Sequence, residues 1–230
     1  MLLEKNYLEV KEKIRDVCNK VNKNPDDINI VAVSKTISFS QIMDLNNLGQ
    51  SDFGENKVKE LREKYYNISF QHAGKIKWHL VGHLQSNKVA DVIAFVHLIH
   101  SLDSHKLAEE INKNAKKINR KIDVLVQVNT SNEPQKYGMS PKDASILCSE
   151  ISAFENVRVK GMMTIAKLTD DKDNIRESFK TLKNLYEELK PDMKDFKYLS
   201  MGMSNDYEIA IEEGSNMLRI GSAIFGKRNN

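Results

Sequence analysis

The chain has 230 residues, 35 basic against 32 acidic side chains and a net charge of +3. A chain of this length suits one large α/β domain that buries roughly 70% of its unfolded surface, so it needs no staple. Interspersed signs exclude the clustered basic face of a nucleic-acid binder; Cys18 and Cys148, far apart in helix-like segments, exclude a disulfide framework and point to reduced thiols in the cytoplasm.

The amino-terminal stretch carries too many charges and too short an apolar run for a signal peptide or a membrane span. Leu3, Tyr7, Val10, Ile14, Val17 and Val21 follow the helical period, which predicts an extra amphipathic helix over the first twenty residues, packed on the body. Ile28 to Lys35 is then an apolar, β-branched run that reads as a buried parallel strand closed by a lysine. Burying a solvated ammonium costs several kcal/mol unless its charge is removed or paired. Two readings follow. Lys35 either reaches out of the strand end into solvent, or is a desolvated amine of lowered pKa able to act as a base or form a Schiff base.

Alternation continues along the chain, with helix 39–48, strand Asp52 to Glu55, helix 56–66, strand Trp78 to Leu84, helix 86–94 and strand His97 to Leu102. Helix 104–118, strand Ile122 to Val128, helix 141–151, strand Val157 to Thr164 and helix 173–189 follow. Strand Phe196 to Met201, helix 205–213, strand Met217 to Ile220 and a short last helix complete eight units. Eight repeats with only 4 prolines and no long linker predict a single α/β domain over residues 1–230, a (β/α)8 TIM barrel, with a doubly wound sheet as the alternative. Neither a glycine-rich dinucleotide fingerprint nor a GxxxxGK[ST] phosphate loop is present.

In such a barrel the active groups gather where strands end. Polar residues fall at those ends: Lys35; Glu55 and Asn56; Gln85, Ser86 and Asn87; Ser101 and Asp103; Asn129 and Thr130; Thr164. Each taken singly also suits a helix cap. Ser200-Met201-Gly202-Met203-Ser204 and Arg219-Ile220-Gly221-Ser222 leave the seventh and eighth strands and open helices, the setting of a phosphate cradle of backbone N–H groups. The competing reading makes Gly202 and Gly221 ordinary turn residues and Ser204 or Asn205 an N-cap.

The ordered set Val31-Ala32-Val33-Ser34-Lys35-Thr36, Phe53-Gly54-Glu55-Asn56, Trp78 to Lys88, Gly161-Met162-Met163-Thr164, Leu199 to Ser204 and Arg219-Ile220-Gly221 resembles the YggS/PROSC family of pyridoxal phosphate homeostasis proteins, over about residues 5 to 226. The resemblance implies a barrel of the alanine racemase N-terminal domain type (fold type III) with pyridoxal 5′-phosphate (PLP) as cofactor. It makes Lys35 the Schiff-base lysine, sets Asn56 beside the cofactor ring, and gives the phosphate to Ser200, Ser204, Gly221 and Ser222. Arg219 then faces the pyridine nitrogen, and an arginine there donates without giving up its proton, which leaves the ring a weak electron sink.

Two function classes compete. One is a protein that holds PLP reversibly, buffers it and passes it to apo-enzymes without robust catalysis; the other is a PLP-dependent amino-acid racemase. The chain ends at Asn230, where racemases of this type continue into a further β-domain that supplies a tyrosine acid/base, so the first class and a monomer are expected. Asn205 stands where many relatives carry an acidic residue, with little effect expected on the phosphate grip.

Other features are discounted as ligands. His79 and His83 do not share a helix face and so are not a zinc pair, His79 being expected to point into the barrel. His97 and His100 read as hydrogen-bonded structural histidines, and Cys148 reads as core. Lys136 reads either as a solvated loop lysine or as a second amine that captures cofactor transiently or helps release it.

Overall fold

The computed structural model describes residues 2–67, 74–131, 133, 137–151 and 153–226. Its strands are β1 (Asn29–Val33), β2 (Asp52–Glu55), β3 (Lys77–Leu80), β4 (Leu98–Leu102), β5 (Ile122–Gln127), β6 (Val157–Met163), β7 (Tyr198–Ser200) and β8 (Met217–Ile220). Each pairs in parallel with the next, and β8 returns to β1 in the register Asn29↔Met217 and Val31↔Arg219. That last pairing closes the barrel and excludes the open doubly wound sheet.

Helices α1 (Leu2–Lys20), α2 (Phe39–Asn47), α3 (Val58–Asn67), α4 (His105–Lys117), α5 (Pro141–Ile151), α6 (Lys172–Leu189), α7 (Tyr207–Glu212) and α8 (Ser222–Phe225) surround it. The extra helix α1 buries Tyr7, Val10, Ile14, Val17 and Cys18, the larger of which contribute about 1.5–3 kcal/mol each when removed from water. Polar ties seat it: Asn6 Nδ2 donates to the Ile224 carbonyl at 3.1 Å, and Tyr7 Oη donates to Gln50 Oε1 at 3.1 Å.

Two hydrophobic layers result from strand alternation. Ala32, Phe53, Leu80, Ile99 and Val126 face the helices, while Val31, Val33, Val81, Leu98, Leu125, Met163 and Met217 fill the barrel interior. Met162 and Met201 are core as well, and Cys148 is buried, its thiol pushed up to about 12 by burial.

Four elements differ most from the sequence reading, the first being β3, which ends at Leu80 and not at Leu84. The segment expected as helix 86–94 is a 3-10 helix, Ser86–Asp91, whose tighter i to i+3 bonding (Lys88 N–H to Gln85 O, 2.9 Å) buries Val89 within a short crossing. Strand β1 stops at Val33, because Thr36 takes a left-handed backbone (φ 65°) and turns the chain away from the ladder. Helix α7 opens at Tyr207 with Asp206 at its N-cap position, so neither Ser204 nor Asn205 caps it.

Candidate functional site at the carboxyl rim

Lys35 lies two residues past the end of β1, half-buried, in a turn. Ser34, the first residue past the strand, turns its hydroxyl to Glu55 and the α3 side of the barrel. There a charge cluster holds the backbone on either side of Lys35. Lys64 Nζ of α3 donates to the Ser34 carbonyl (2.6 Å), to Glu55 Oε1 (2.7 Å) and to Glu60 Oε1 (2.8 Å). The Ser34 hydroxyl donates to Glu55 Oε1 at 2.6 Å, and Glu60 Oε1 accepts the Thr36 N–H at 2.5 Å.

Glu55 is fully buried, and its Oε2 has no hydrogen-bond partner among the described residues. Burial raises its carboxyl above the ordinary value, and the hydrogen bonds from Lys64 and Ser34 hold that rise down. Glu60 ends below its ordinary value, because Lys64 and the Thr36 N–H outweigh a burial effect that acts to raise it. A β-branched residue in the left-handed region costs on the order of 1–2 kcal/mol, and strain of this kind persists only where its surroundings hold it. Glu60 does that here.

Asn56 follows β2 with its side chain half-buried. Gly82 in the next loop lets the two connections meet: a Cβ at that position would stand 2.3 Å from the Asn56 carbonyl oxygen. Beyond Asn56 a groove of about 800 Å³ crosses α3 to His83, Gln85 and Lys88. His83 Nδ1 lies 3.0 Å from Asp103 Oδ2, and the His83 ring stacks on Tyr137 with centroids 4.2 Å apart. Lys136 falls outside the described residues. A second hollow of about 280 Å³, lined by Asn129, Thr130 and Lys167 among others, lies off the Lys35 side of the rim.

The adjoining part of the rim is built by β7 and β8, β8 lying directly beside β1. Arg219 is buried, with Nη1 donating to Ser200 Oγ (2.7 Å) and Nη2 to the Thr164 carbonyl (2.7 Å). Burial lowers the guanidinium to about 10, a shift Asp206 opposes, so it keeps its proton at neutral pH. Ser204 Oγ accepts the N–H groups of Gly221 (3.3 Å) and Ala223 (3.1 Å), tying the two loops together. Asp206 Oδ1 accepts the Met203 N–H at 2.5 Å. Among the described residues the N–H groups of Ser204, Asn205 and Ser222 take no protein acceptor. Gly202 is required by its φ of 96° and by α7, since a Cβ there would lie 2.6 Å from Ala210 Cβ.

Ser200 corrects the sequence reading. Its side chain is fully buried, and its hydroxyl is engaged by Arg219 and by His100 Nδ1 (3.2 Å), so it braces the arginine from inside the barrel instead of gripping a phosphate at the rim. Ser204, Gly221 and Ser222 do fall together there. His79 and His100 are buried inside the barrel as expected, but His97 is exposed, meeting the His79 ring at 5.3 Å and not as a hydrogen-bonded partner. Lys64 and Glu60 escaped the sequence reading; a lysine on a charged amphipathic helix carries no mark of burial. Thr164 was visible as a strand-end residue, but its carbonyl, the part Arg219 uses, was not.

Comparison with known proteins agrees with this geometry. The alanine racemase N-terminal domain family matches residues 7–229. A pyridoxal phosphate homeostasis protein of Aquifex aeolicus (strain VF5) is 37% identical over 220 residues, covering 95% of each chain. The chain belongs to the pyridoxal phosphate homeostasis protein family. A second member of the family, from Helicobacter pylori (strain ATCC 700392 / 26695), is 38% identical over 95% of this chain and 99% of its own. Among solved structures, PipY of Synechococcus elongatus PCC7942 with PLP bound superposes with a TM-score of 0.80 at 30% identity, over 93% of this chain and all of that one (100%). An alanine racemase of Clostridium difficile 630 superposes with a TM-score of 0.77 at 16% identity, with this chain covering 57% of it, and shares the fold.

Proposed function

We propose that this protein binds PLP at the carboxyl rim and serves intracellular PLP homeostasis, buffering the cofactor or delivering it to apo-enzymes without robust catalysis of its own. The observation that carries the reading is the set of donors on one rim: a primary amine on Lys35, a protonated buried guanidinium on Arg219, and open N–H groups at Ser204, Asn205 and Ser222. That set fits the group. Bound PLP supplies an aldehyde that condenses with a neutral primary amine, and a pyridine ring that accepts electrons in proportion to the charge on its nitrogen.

Lys35 supplies the amine, carried on a backbone fixed at Ser34 and Thr36 so that only its side chain has to move. Ser204 and Ser222 supply donors for a phosphoryl group; Gly221 adds close backbone approach, its N–H being given to Ser204 Oγ, which accepts two N–H groups and has its own proton to donate. Asn56 borders the mouth and is assigned to the ring. Arg219 keeps its proton at neutral pH and so leaves the pyridine nitrogen uncharged, which disfavours chemistry at a substrate α-carbon. That argues against the racemase reading, and the names of the relatives agree.

A monomer in the cytoplasm completes the reading. Both cysteines are free and buried, and no helix among the described residues is long and apolar enough to cross a membrane. Adding PLP to the purified protein is expected to give a visible absorbance band; borohydride reduction followed by peptide mapping should place the cofactor on Lys35, and Lys35→Ala should lose the band. A colourless protein, or an adduct mapped to another residue, would overturn the reading. Rapid deuterium exchange at Cα of added amino acids would favour the racemase.

A further inference from the structure

The barrel interior holds an unbroken line of polar contacts that the rim alone does not require. It starts at Arg219 Nη1 and Ser200 Oγ (2.7 Å), continues from Ser200 Oγ to His100 Nδ1 (3.2 Å) and from His100 Nε2 to His79 Nδ1 (2.9 Å), and ends at His79 Nε2 and Asp52 Oδ1 (3.0 Å). It crosses from β8 through β7, β4 and β3 to the first residue of β2, at the opposite, amino-terminal mouth. His79, His100 and Ser200 are buried away from bulk solvent, so the bonds they make to one another carry most of their hydrogen-bonding capacity.

The two ends fix the direction of every proton between them. A guanidinium only donates and a carboxylate only accepts. Ser200 therefore accepts from Arg219 and gives its own proton to His100 Nδ1. His100, with Nδ1 accepting, carries its proton on Nε2 and donates to His79 Nδ1, and His79 then carries its proton on Nε2 and donates to Asp52. Each junction has one donor and one acceptor, and no proton is left over. In the reverse arrangement Ser200 accepts twice and its own proton has no acceptor among the described residues, a cost buried groups avoid.

We propose that this chain is a proton-ordered brace in which Asp52, His79 and His100 act as positioning residues for Arg219, coupling the base of the barrel to the ligand-facing rim. The effect on ligand rests on the PLP reading above; the ordering itself does not. Other properties of the ends agree. His100 is held neutral, well below its ordinary value, first by burial, with the Arg219 charge acting in the same direction. At Asp52 burial acts to raise the carboxyl, but His79, Ser51 and Lys77 together leave it below its ordinary value and hence ionised. Asp52, His79 and His97 also stand close enough to resemble a cation site. A metal would need a bare Nε2 on His79, which the ordering denies, and Lys77 faces the same carboxylate at 3.9 Å.

The test is nitrogen NMR on ligand-free protein labelled with 15N-histidine, with signals assigned through His79→Gln and His100→Gln. Both imidazoles are expected as Nε2–H tautomers with bare Nδ1. A proton on Nδ1 of either ring, a doubly protonated ring, or Zn2+ recruited to His79 would overturn the proposal. Asp52→Ala should release the tautomer of His79 and weaken PLP binding by about two- to tenfold, the equivalent of one hydrogen bond. Asp52→Asn, whose amide oxygen still accepts, should restore both. An Asp52→Ala protein that is less stable but keeps both tautomers would show a purely structural role and sink the idea. Because the tautomers are read without ligand, they decide the chain even if PLP fails to bind.

Discussion

The two sides of the barrel mouth brace their functional groups in opposite ways. On the Lys35 side a compact cluster of three charged residues, Lys64, Glu55 and Glu60, grips backbone and leaves the functional side chain to move. On the Arg219 side a line through neutral histidines grips the functional side chain itself. The contrast suits the proposed tasks: an amine that would capture and release an aldehyde has to travel, whereas a guanidinium that would face a ring has to stay still.

The sharpest way to break the Lys35 side is Lys64→Met, which removes three hydrogen bonds and leaves Glu55 buried without its Lys64 partner. Breaking a buried pair from one side costs about 3–5 kcal/mol, to be read as a lower denaturant midpoint. Adding Glu55→Gln should recover part of the loss; no recovery would show that backbone contacts, not charge, carry the cluster.

The Arg219 side should reveal itself through pH. His100 titrates at 6.5 when exposed, and its folded value lies well below that. Between the two values the unfolded chain binds a proton that the folded chain does not. Stability is therefore full above pH 6.5 and falls as pH drops below it, by about 1.4 kcal/mol per pH unit for one such histidine. Denaturant curves on wild type and His100→Gln should differ in slope across this window. Equal slopes would mean that His100 does not remain neutral.

The smallest effect is expected at Thr36, where glycine would relieve the left-handed strain. Offset by the greater freedom of glycine in the unfolded chain, the net gain in stability is about 0.5–1 kcal/mol. PLP affinity should fall severalfold, because the peptide after Lys35 is then held less firmly. Affinity unchanged by Thr36→Gly would separate the strain from the site.

The parts of this arrangement that sequence revealed are those written in local pattern. A lysine closing a β-branched run, eight alternations of short apolar run and amphipathic segment, and glycine-serine turns after the last two strands pointed to the barrel, to Lys35 at the end of its first strand and to the loops that bring Ser204, Gly221 and Ser222 together. The bracing was not legible. His100 and Ser200 are 100 residues apart and Arg219 and Thr164 are 55 apart, and no periodicity relates them. Ser200 was misplaced for a related reason: its motif marks the loop after β7, but strand alternation turns its hydroxyl below the rim. The same limit applies to the segment after β3, where the spacing of Val89, Val92, Ile93 and Val96 suits an α-helix and the bonding is tighter.

The short interval between the end of β1 and Lys35 has an evolutionary corollary. Because the Ser34 N–H still pairs with the Gly54 carbonyl and Lys35 follows it directly, inserting one residue after Val33 would shift Lys35 against the contacts that hold Ser34 and Thr36 while every atom of the pocket remained encoded. Gene sequences of this lineage should then tolerate length variation freely in outlying surface loops and hardly at all across this dipeptide.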